Sequence, residues 1–341
     1  MLKKLTLENF TVFEQAELAF APGINIIIGE NASGKSHLLK LAYCIAATWQ
    51  EDISGDWKLL NLGNKFRNVF KIATAAQLQT LGIQPNTQTH VTLEFTVKHK
   101  ETHEIINLIV ENGLLSTHMF PVSPLERTPL FLPTKEILSL YPNFTALYEK
   151  YSLAFDETYY DLCKAIDNPL LKQPDLALLN AIETIVGGKF VLKNNNFYLQ
   201  TEQGEINIFM VAEGWRKLGM LAYLIANDSL KKDSLLFWDE PETNLNPRLI
   251  KQLAAILMAL SRYGVQIVIA THNLFLMKYF DYLIGQEQDA PPCAFFNLVR
   301  TNDHVTIEQG SRLSHLSNLV ALSEELELYD KEQEAVYANL L

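Results

Sequence analysis

The stretch "INIIIGENASGKSHLLKLAY", Ile24 to Tyr43, sets an apolar run, a loop of small residues and a helical pattern end to end. The run "INIIIG" is apolar on both faces, which is the mark of a central strand. From Ser36 to about Gln50, Leu38, Leu39, Leu41, Ala42 and Ile45 recur at helical spacing. Between them Gly29-Glu30-Asn31-Ala32-Ser33-Gly34-Lys35-Ser36 matches GxxxxGK[ST] in the strand-before, helix-after setting that gives the pattern its meaning. Such a loop points backbone N–H groups into one concavity, and Gly29 and Gly34 permit the dihedrals and the close approach. The helix that follows presents unpaired N–H groups and the positive end of its dipole to an anion. In this arrangement Lys35 reaches the β- and γ-phosphates of a nucleotide, and the Ser36 hydroxyl ligates Mg²⁺.

A phosphate loop alone fits many chemistries, and "SLLFWDEPETNLNP", Ser234 to Pro247, supplies what it lacks. Leu235 to Trp238 form a buried strand ending in Asp239, at the carboxyl end where ligands of open α/β sheets lie. Asp239 fits a Mg²⁺-associated carboxylate beside Ser36, and Glu240 a general base for the attacking water. Most Asp-Glu pairs at strand ends are solvated termini, but a phosphate loop needs just such a partner. "VQIVIATHN", Val265 to Asn273, repeats the design, so His272 emerges on the same rim, in reach of the γ-phosphate or the water.

Outward from these motifs, "LKKLTLENF" alternates as a half-buried strand, and "FEQAELAF" is its expected antiparallel partner. "THVTLEFTVKHKETHEIINLIVENG" reads as a strand pair, and "TPLFLPTKE" as a short strand running into a loop. From about Ile137 to Val186 the chain is helix-like, punctuated by Pro142, Pro169 and Pro174. "GGKFVLKNNNFYLQTEQGEINIF" returns to strands, with a turn at Asn194 to Asn196. A helix is expected near Pro247 to Tyr263, a strand pair in "AFFNLVRTNDHVTIEQG", and an acidic helical tail from Leu313. No internal repeat, low-complexity segment or coiled-coil heptad run is evident. The expected fold class is α/β, a P-loop NTPase with a mixed central sheet, an antiparallel edge subdomain and a helical lobe. Residues 1–135 and 188–310 would form a discontinuous nucleotide-binding core, 136–187 the helical lobe and 311–341 the tail.

The charge balance, 28 Lys and Arg against 39 Asp and Glu for a net of -11, argues against coating nucleic acid by bulk electrostatics. A local basic groove formed by a dimer stays open. Cys44, Cys163 and Cys293 sit far apart without CxxC spacing, which suits a reducing cytosol rather than a disulfide framework or zinc site. The start "MLKKLTLENF" lacks a signal-peptide core, and no apolar run is long enough for a membrane span. A cytoplasmic protein with no membrane partner is expected.

The loop, "LLFWDEPETNLNP" and "IVIATHN", in this order, resemble the ABC-type ATPase heads of the RecF, SMC and OLD-nuclease kind, within the AAA family. The resemblance covers both ends of the chain well and the middle poorly. "PLFLPTKEILSLYPNF" and "AFDETYYDL" look similar to stand-alone bacterial ATPases of this group. It implies that Gly29 to Ser36 are Walker A, Asp239 and Glu240 are Walker B with its catalytic Glu, Glu242 to Leu245 are the D-loop, and His272 is the switch His. It also implies ATP and Mg²⁺ as cofactors, and a homodimer whose two heads sandwich two ATP molecules.

The pattern departs at the signature, usually of the LSGGQ kind. In the matching place "VAEGWRKLGMLAYLIAN" sets Ala212 where a Ser hydroxyl would meet the partner's γ-phosphate, and an acidic Glu213 before Gly214. Backbone N–H groups of the helix start remain able to donate across a dimer, with Arg216 or Lys217 as compensating cations. An ordinary packing helix with Leu218, Leu221 and Leu224 inward explains the spacing equally well. The expected consequence is weak or partner-stimulated hydrolysis. The Q-loop glutamine is not evident; "PTKE" is its positional candidate, with Lys135 or Glu136 near the metal. Phe10 or Phe13 is placed to stack on adenine or to pack in the core.

Two functions from different classes follow. One is an ATP-driven dimer switch acting on a separate effector, a nuclease or toxin, by analogy with bacterial anti-phage defence; residues beyond about 285 are too few for a nuclease domain. The other is a DNA-repair or chromosome ATPase that contacts DNA directly. For that role "WKLLNLGNKFRNVFKI" offers a modest basic set, Lys58, Lys65, Arg67 and Lys71, for which a solvated helix face is the commoner explanation. The weak signature and missing Q-loop disfavour a transporter cassette, and "DEPETNLNP" with a switch His disfavours a kinase.

Overall fold

The apolar runs around the phosphate loop build the centre of the molecule. The computed structural model describes residues 1–51, 55–79, 88–96, 103–117, 125, 127–151, 153–172, 176–301 and 304–338, so Pro174 and the end of the tail lie outside the described residues. In chain order, β1 (Leu2–Phe10), β2 (Phe13–Ala19) and β3 (Ile24–Gly29) lead through the loop to α1 (Lys35–Gln50) and α2 (Asp56–Phe70). Then come β4 (Thr89–Thr96), β5 (His103–Glu111), β6 (Leu114–Ser116), β7 (Pro129–Leu132), α3 (Phe144–Lys150), α4 (Glu157–Ile166) and α5 (Leu176–Val186). The last part holds β8 (Lys189–Lys193), β9 (Asn196–Thr201), β10 (Gly204–Asn207), α6 (Glu213–Ala226), β11 (Leu235–Asp239), α7 (Pro247–Tyr263), β12 (Gln266–Thr271), α8 (Leu274–Gln286), β13 (Cys293–Arg300), β14 (Val305–Gly310) and α9 (Val320–Ala338).

The central sheet runs β14-β13-β3-β12-β11-β7. Its strands are parallel except β14, which pairs antiparallel with β13. The alternation of side chains across a strand divides the core in two. Ile24, Ile26 and Ile28 of β3 join Trp238 and Ile269 in a cluster with residues of α3 to α8. Ile27, Phe237 and Val268 face the other way, onto α1 and the antiparallel sheet β2-β1-β4-β5-β6. α1 is thus walled in, with Leu38, Leu39, Leu41, Tyr43, Cys44, Ile45 and Trp49 all buried. A third, three-stranded sheet, β10-β9-β8, turns at Asn194 and Asn195, both at positive φ.

Buried polar residues are tied to backbone, as their desolvation demands. Gln266, with no exposure, exchanges hydrogen bonds with the Leu2 backbone (2.9 and 2.8 Å) and donates to the Ala21 carbonyl (2.9 Å). This fixes the start of the antiparallel sheet to the central one. Among the described residues no helix is long and apolar enough to cross a membrane.

Candidate nucleotide site

The phosphate loop leaves β3 and enters α1 through backbone that only particular residues tolerate. Gly34 sits at φ 93°, and a Cβ there would lie 2.7 Å from the Phe13 ring and from Val12. Phe13 and Phe10 are both fully buried, so the core-packing alternative describes them and neither offers a face to adenine. A Cβ on Gly29 would stand 2.6 Å from the Ser33 hydroxyl, which is itself buried without a hydrogen-bond partner. Ala32 takes a positive φ of 61°, the left-handed turn that folds the loop back on itself.

Lys35, 6% exposed, curls its ammonium onto the carbonyls of Gly29 (2.8 Å) and Glu30 (2.7 Å). Burial lowers its pKa, and the carboxylates of Glu240, Asp239 and Glu242 oppose that shift. The charge of the loop and the charges of the β11 end therefore share one space.

Asp239 closes β11 at 8% exposure. Burial pushes its carboxyl above the ordinary value, and the Ser36 hydroxyl that hydrogen-bonds to it pulls the other way. Its Oδ1 is buried with no hydrogen-bond partner. An orphaned carboxylate oxygen beside a serine hydroxyl is a donor set that a hydrated Mg²⁺ carrying phosphate oxygens would complete. Among the described residues no group of three or more His, Cys, Asp or Glu could hold a metal by itself, so such an ion would depend on the phosphates.

Glu240 follows at φ 47°, a conformation costing a non-glycine residue about 1–3 kcal/mol. The turn lifts its side chain to His272, with Oε1 and Nδ1 2.9 Å apart; the donor depends on the imidazole tautomer. Its Oε2 lies 3.4 Å from the Thr243 hydroxyl. His272 is half exposed beyond the end of β12, as the run "IVIATHN" predicts.

The next residues knit the rim together. Glu242 is buried and accepts from the Thr271 hydroxyl at 2.6 Å, and Asn246 caps α7 through the Leu249 amide at 3.0 Å, ahead of Pro247. Beside the loop a pocket of about 240 Å³ opens between Gly29, Asn31, His272, Met277, Leu319 and Val320. The root of α9 therefore borders the phosphate loop, which no motif announced.

Ala212, Glu213 and Gly214 form the first turn of α6, where Ala212 is exposed and offers no side-chain cap. Among the described residues no hydrogen bond or ion pair joins them to the 29–36 loop. Gly214 has a packing reason within the chain, since a Cβ there would lie 2.7 Å from Leu245. The two candidate compensating cations both have partners within the chain. Arg216 pairs with Glu136 at 3.0 Å, and buried Lys217 donates to the Thr243 carbonyl at 2.9 Å, with the Glu240 carbonyl at 3.5 Å. Glu136 is 4% exposed and turned to α6, while Lys135 faces water. No sequence motif marks Lys217; a lysine at the head of the apolar run Leu218 to Ile225 is the available signal.

Two of the four basic residues around α2, Lys58 and Lys65, are drawn off the solvated face. Lys65 is held between Asp161 (2.5 Å) and Glu157 (2.9 Å) of α4, and Asp161 also accepts from the Tyr43 hydroxyl (2.7 Å). Lys58 is buried over the Trp49 ring, and Lys71 bonds the Leu153 carbonyl at 3.1 Å. Arg67 and Lys71 are both exposed, and Arg67 hydrogen-bonds Asn64 on its own helix.

Comparison with known proteins accords with this geometry. The family model described as "AAA ATPase domain" matches residues 1–185, and one described as "AAA domain, putative AbiEii toxin, Type IV TA system" matches residues 110–278. The DNA replication and repair protein RecF of Macrococcus caseolyticus is 41% identical over 68 residues, 20% of this chain and 18% of that protein. RecF of Limosilactobacillus fermentum is 36% identical over 76 residues, 22% of this chain and 20% of that protein. The chain thus spans about a fifth of the length of these curated relatives. Among solved structures, the SMC head domain from Thermotoga maritima aligns at a TM-score of 0.53 and 15% identity, over 90% of this chain and 98% of that one. The SMC head bound to the C-winged helix domain of ScpA aligns at 0.60 and 14% identity, over 92% and 98%. These likenesses are of fold: an ABC-type head with a mixed central sheet.

Proposed function

From the premise that this chain belongs to the AAA ATPase domain family, we propose that it binds ATP with Mg²⁺, hydrolyses it, and works as a homodimeric switch on a separate effector. In this reading the N–H groups of Gly29 to Gly34 cradle the phosphates, and Lys35 exchanges its carbonyl partners for phosphate oxygens. Ser36 and Asp239 hold the magnesium, which supplies neutralisation of phosphate charge. Glu240 takes the proton of the attacking water, and His272 orients that carboxylate and senses the γ-phosphate. Ala212, Glu213 and Gly214 meet the second copy's nucleotide with backbone N–H groups alone, so hydrolysis is slow or partner-stimulated.

The observation that carries the reading is the convergence of Lys35, Ser36, Asp239, Glu240 and His272 at the carboxyl ends of three adjacent parallel strands. The effector is a nuclease or toxin in anti-phage defence; the matching family described as "putative AbiEii toxin, Type IV TA system" supports the existence of a paired protein, though not which of the two is the toxic one.

Phosphate release, calorimetry and sedimentation test this together. Glu240→Gln is expected to lower turnover by about 100-fold or more, keep ATP binding and accumulate an ATP-bound dimer. A wild-type chain that gives no heat with Mg-ATP, or stays monomeric at saturating ATP in the Glu240→Gln form, would remove the proposal.

A further inference from the structure

The helix α9 carries a seam that the described residues leave uncovered. In α9 every described side chain from Ser323 to Val336 is exposed except half-buried Gln333. Leu319, Leu322, Leu326, Tyr329, Gln333 and Val336 recur with alternating spacings of three and four, the a and d positions of three successive heptads. The seam is anchored at its root, where Leu319 is buried and Leu322 packs against the core. Beyond it Leu326, Tyr329 and Val336 are 55%, 56% and 53% exposed. A helix this long reaches about 28 Å at 1.5 Å per residue, and a helix whose apolar stripe stays uncovered gains stability when a partner buries it.

The flanks say what that partner is. With Leu326 at an a position, Glu325 and Glu332 are g and Asp330 is e, so the described flanks of the exposed seam are acidic. In a parallel pair of two copies Glu325 would oppose Asp330, and in an antiparallel pair acids would again meet acids. Like charges there disfavour a second copy. The chain itself shows what the flank accepts: Lys278 of α8 forms an ion pair with Glu325. We propose that α9 is the docking element for an amphipathic helix of a separate protein, apolar along its own seam and flanked by Lys or Arg. Gln333, a polar a position, sets the register. Because Leu319, Val320 and Ala321 line the pocket beside Gly29, Asn31 and His272, the docked helix sits at the margin of the phosphate loop. This deepens the switch reading by giving its effector a chemistry, and its test needs no nucleotide, so the two fail separately.

The probe is a fluorescent synthetic helix of three heptads with Leu at a and d and Lys at e and g, whose like charges keep it from pairing with itself. It is titrated onto the full chain without ATP and followed by anisotropy, beside an acid-flanked peptide and a scrambled peptide of the same charge. The Lys-flanked helix is expected to bind saturably, about tenfold or more tighter than either control, and to weaken as salt rises. The double variant Leu326→Ser with Tyr329→Ser should lose that binding while keeping the unfolding temperature, and Leu326→Met with Tyr329→Phe should retain it. Equal binding of the scrambled peptide would reduce the effect to bulk acidity and overturn the proposal. So would binding that survives the double Ser variant. Self-association of the free chain that the double Ser variant abolishes would assign the seam to a second copy and overturn it as well.

Discussion

Asp239 is the residue on which the site's chemistry and the fold's stability disagree. Its carboxyl is buried beside Glu240, and burial raises its pKa above the ordinary 3.8. A raised carboxyl binds its proton more tightly in the folded than in the unfolded chain, so its contribution to stability is complete below the ordinary value. It is lost as pH rises through the raised value. Glu242, raised by the same cause, acts with the same sign. Asp239→Asn is therefore expected to stabilise the nucleotide-free protein at neutral pH by on the order of 1 kcal/mol and to flatten part of its pH dependence. Thermal unfolding from mildly acidic to neutral pH measures this. An unfolding temperature lowered by the substitution at neutral pH would contradict it. The same variant should lose Mg-ATP affinity, so the molecule retains a local strain for the sake of its ligand.

At the scale of elements, α6 is braced to both loops that frame the site, by Arg216 to Glu136 and by Lys217 to the Thr243 carbonyl. Lys217 holds the backbone of a turn in which Glu240 already sits at positive φ. Lys217→Met should therefore lower kcat by about tenfold with little change in KM, since a slightly misplaced base acts on a normally bound substrate. Steady-state kinetics decides it, and an unchanged kcat would limit Lys217 to packing. The strands that bear the site were legible because β3, β11 and β12 are doubly buried and end in Gly29, Asp239 and Thr271-His272. The brace was not legible, because a lysine that bonds carbonyls leaves no spacing to read. The expected strand in "TPLFLPTKE" was legible, but not its place as the parallel edge beside β11. The α9 seam is not legible from sequence, because so short a stripe falls below the run length that marks a coiled coil, and Leu328 lies off it.

For the whole molecule, charge argues against a nucleic-acid track. The net is -11, and Lys58, Lys65 and Lys71 are spent on Trp49, on Asp161 and Glu157, and on the Leu153 carbonyl. Double-stranded DNA is expected to leave the hydrolysis rate within about twofold at moderate salt. A larger, salt-sensitive stimulation would favour the direct DNA-binding reading that the RecF likeness keeps in view. The enclosure of α1 has a mechanical corollary. A helix packed at crystal-like density on nearly every side has nowhere to go, so the cylinder that begins with Lys35 and Ser36 serves as a stator. Whatever work the nucleotide performs is delivered by rotors at the perimeter, the α6 turn, the His272 corner and the root of α9, each with a face in water.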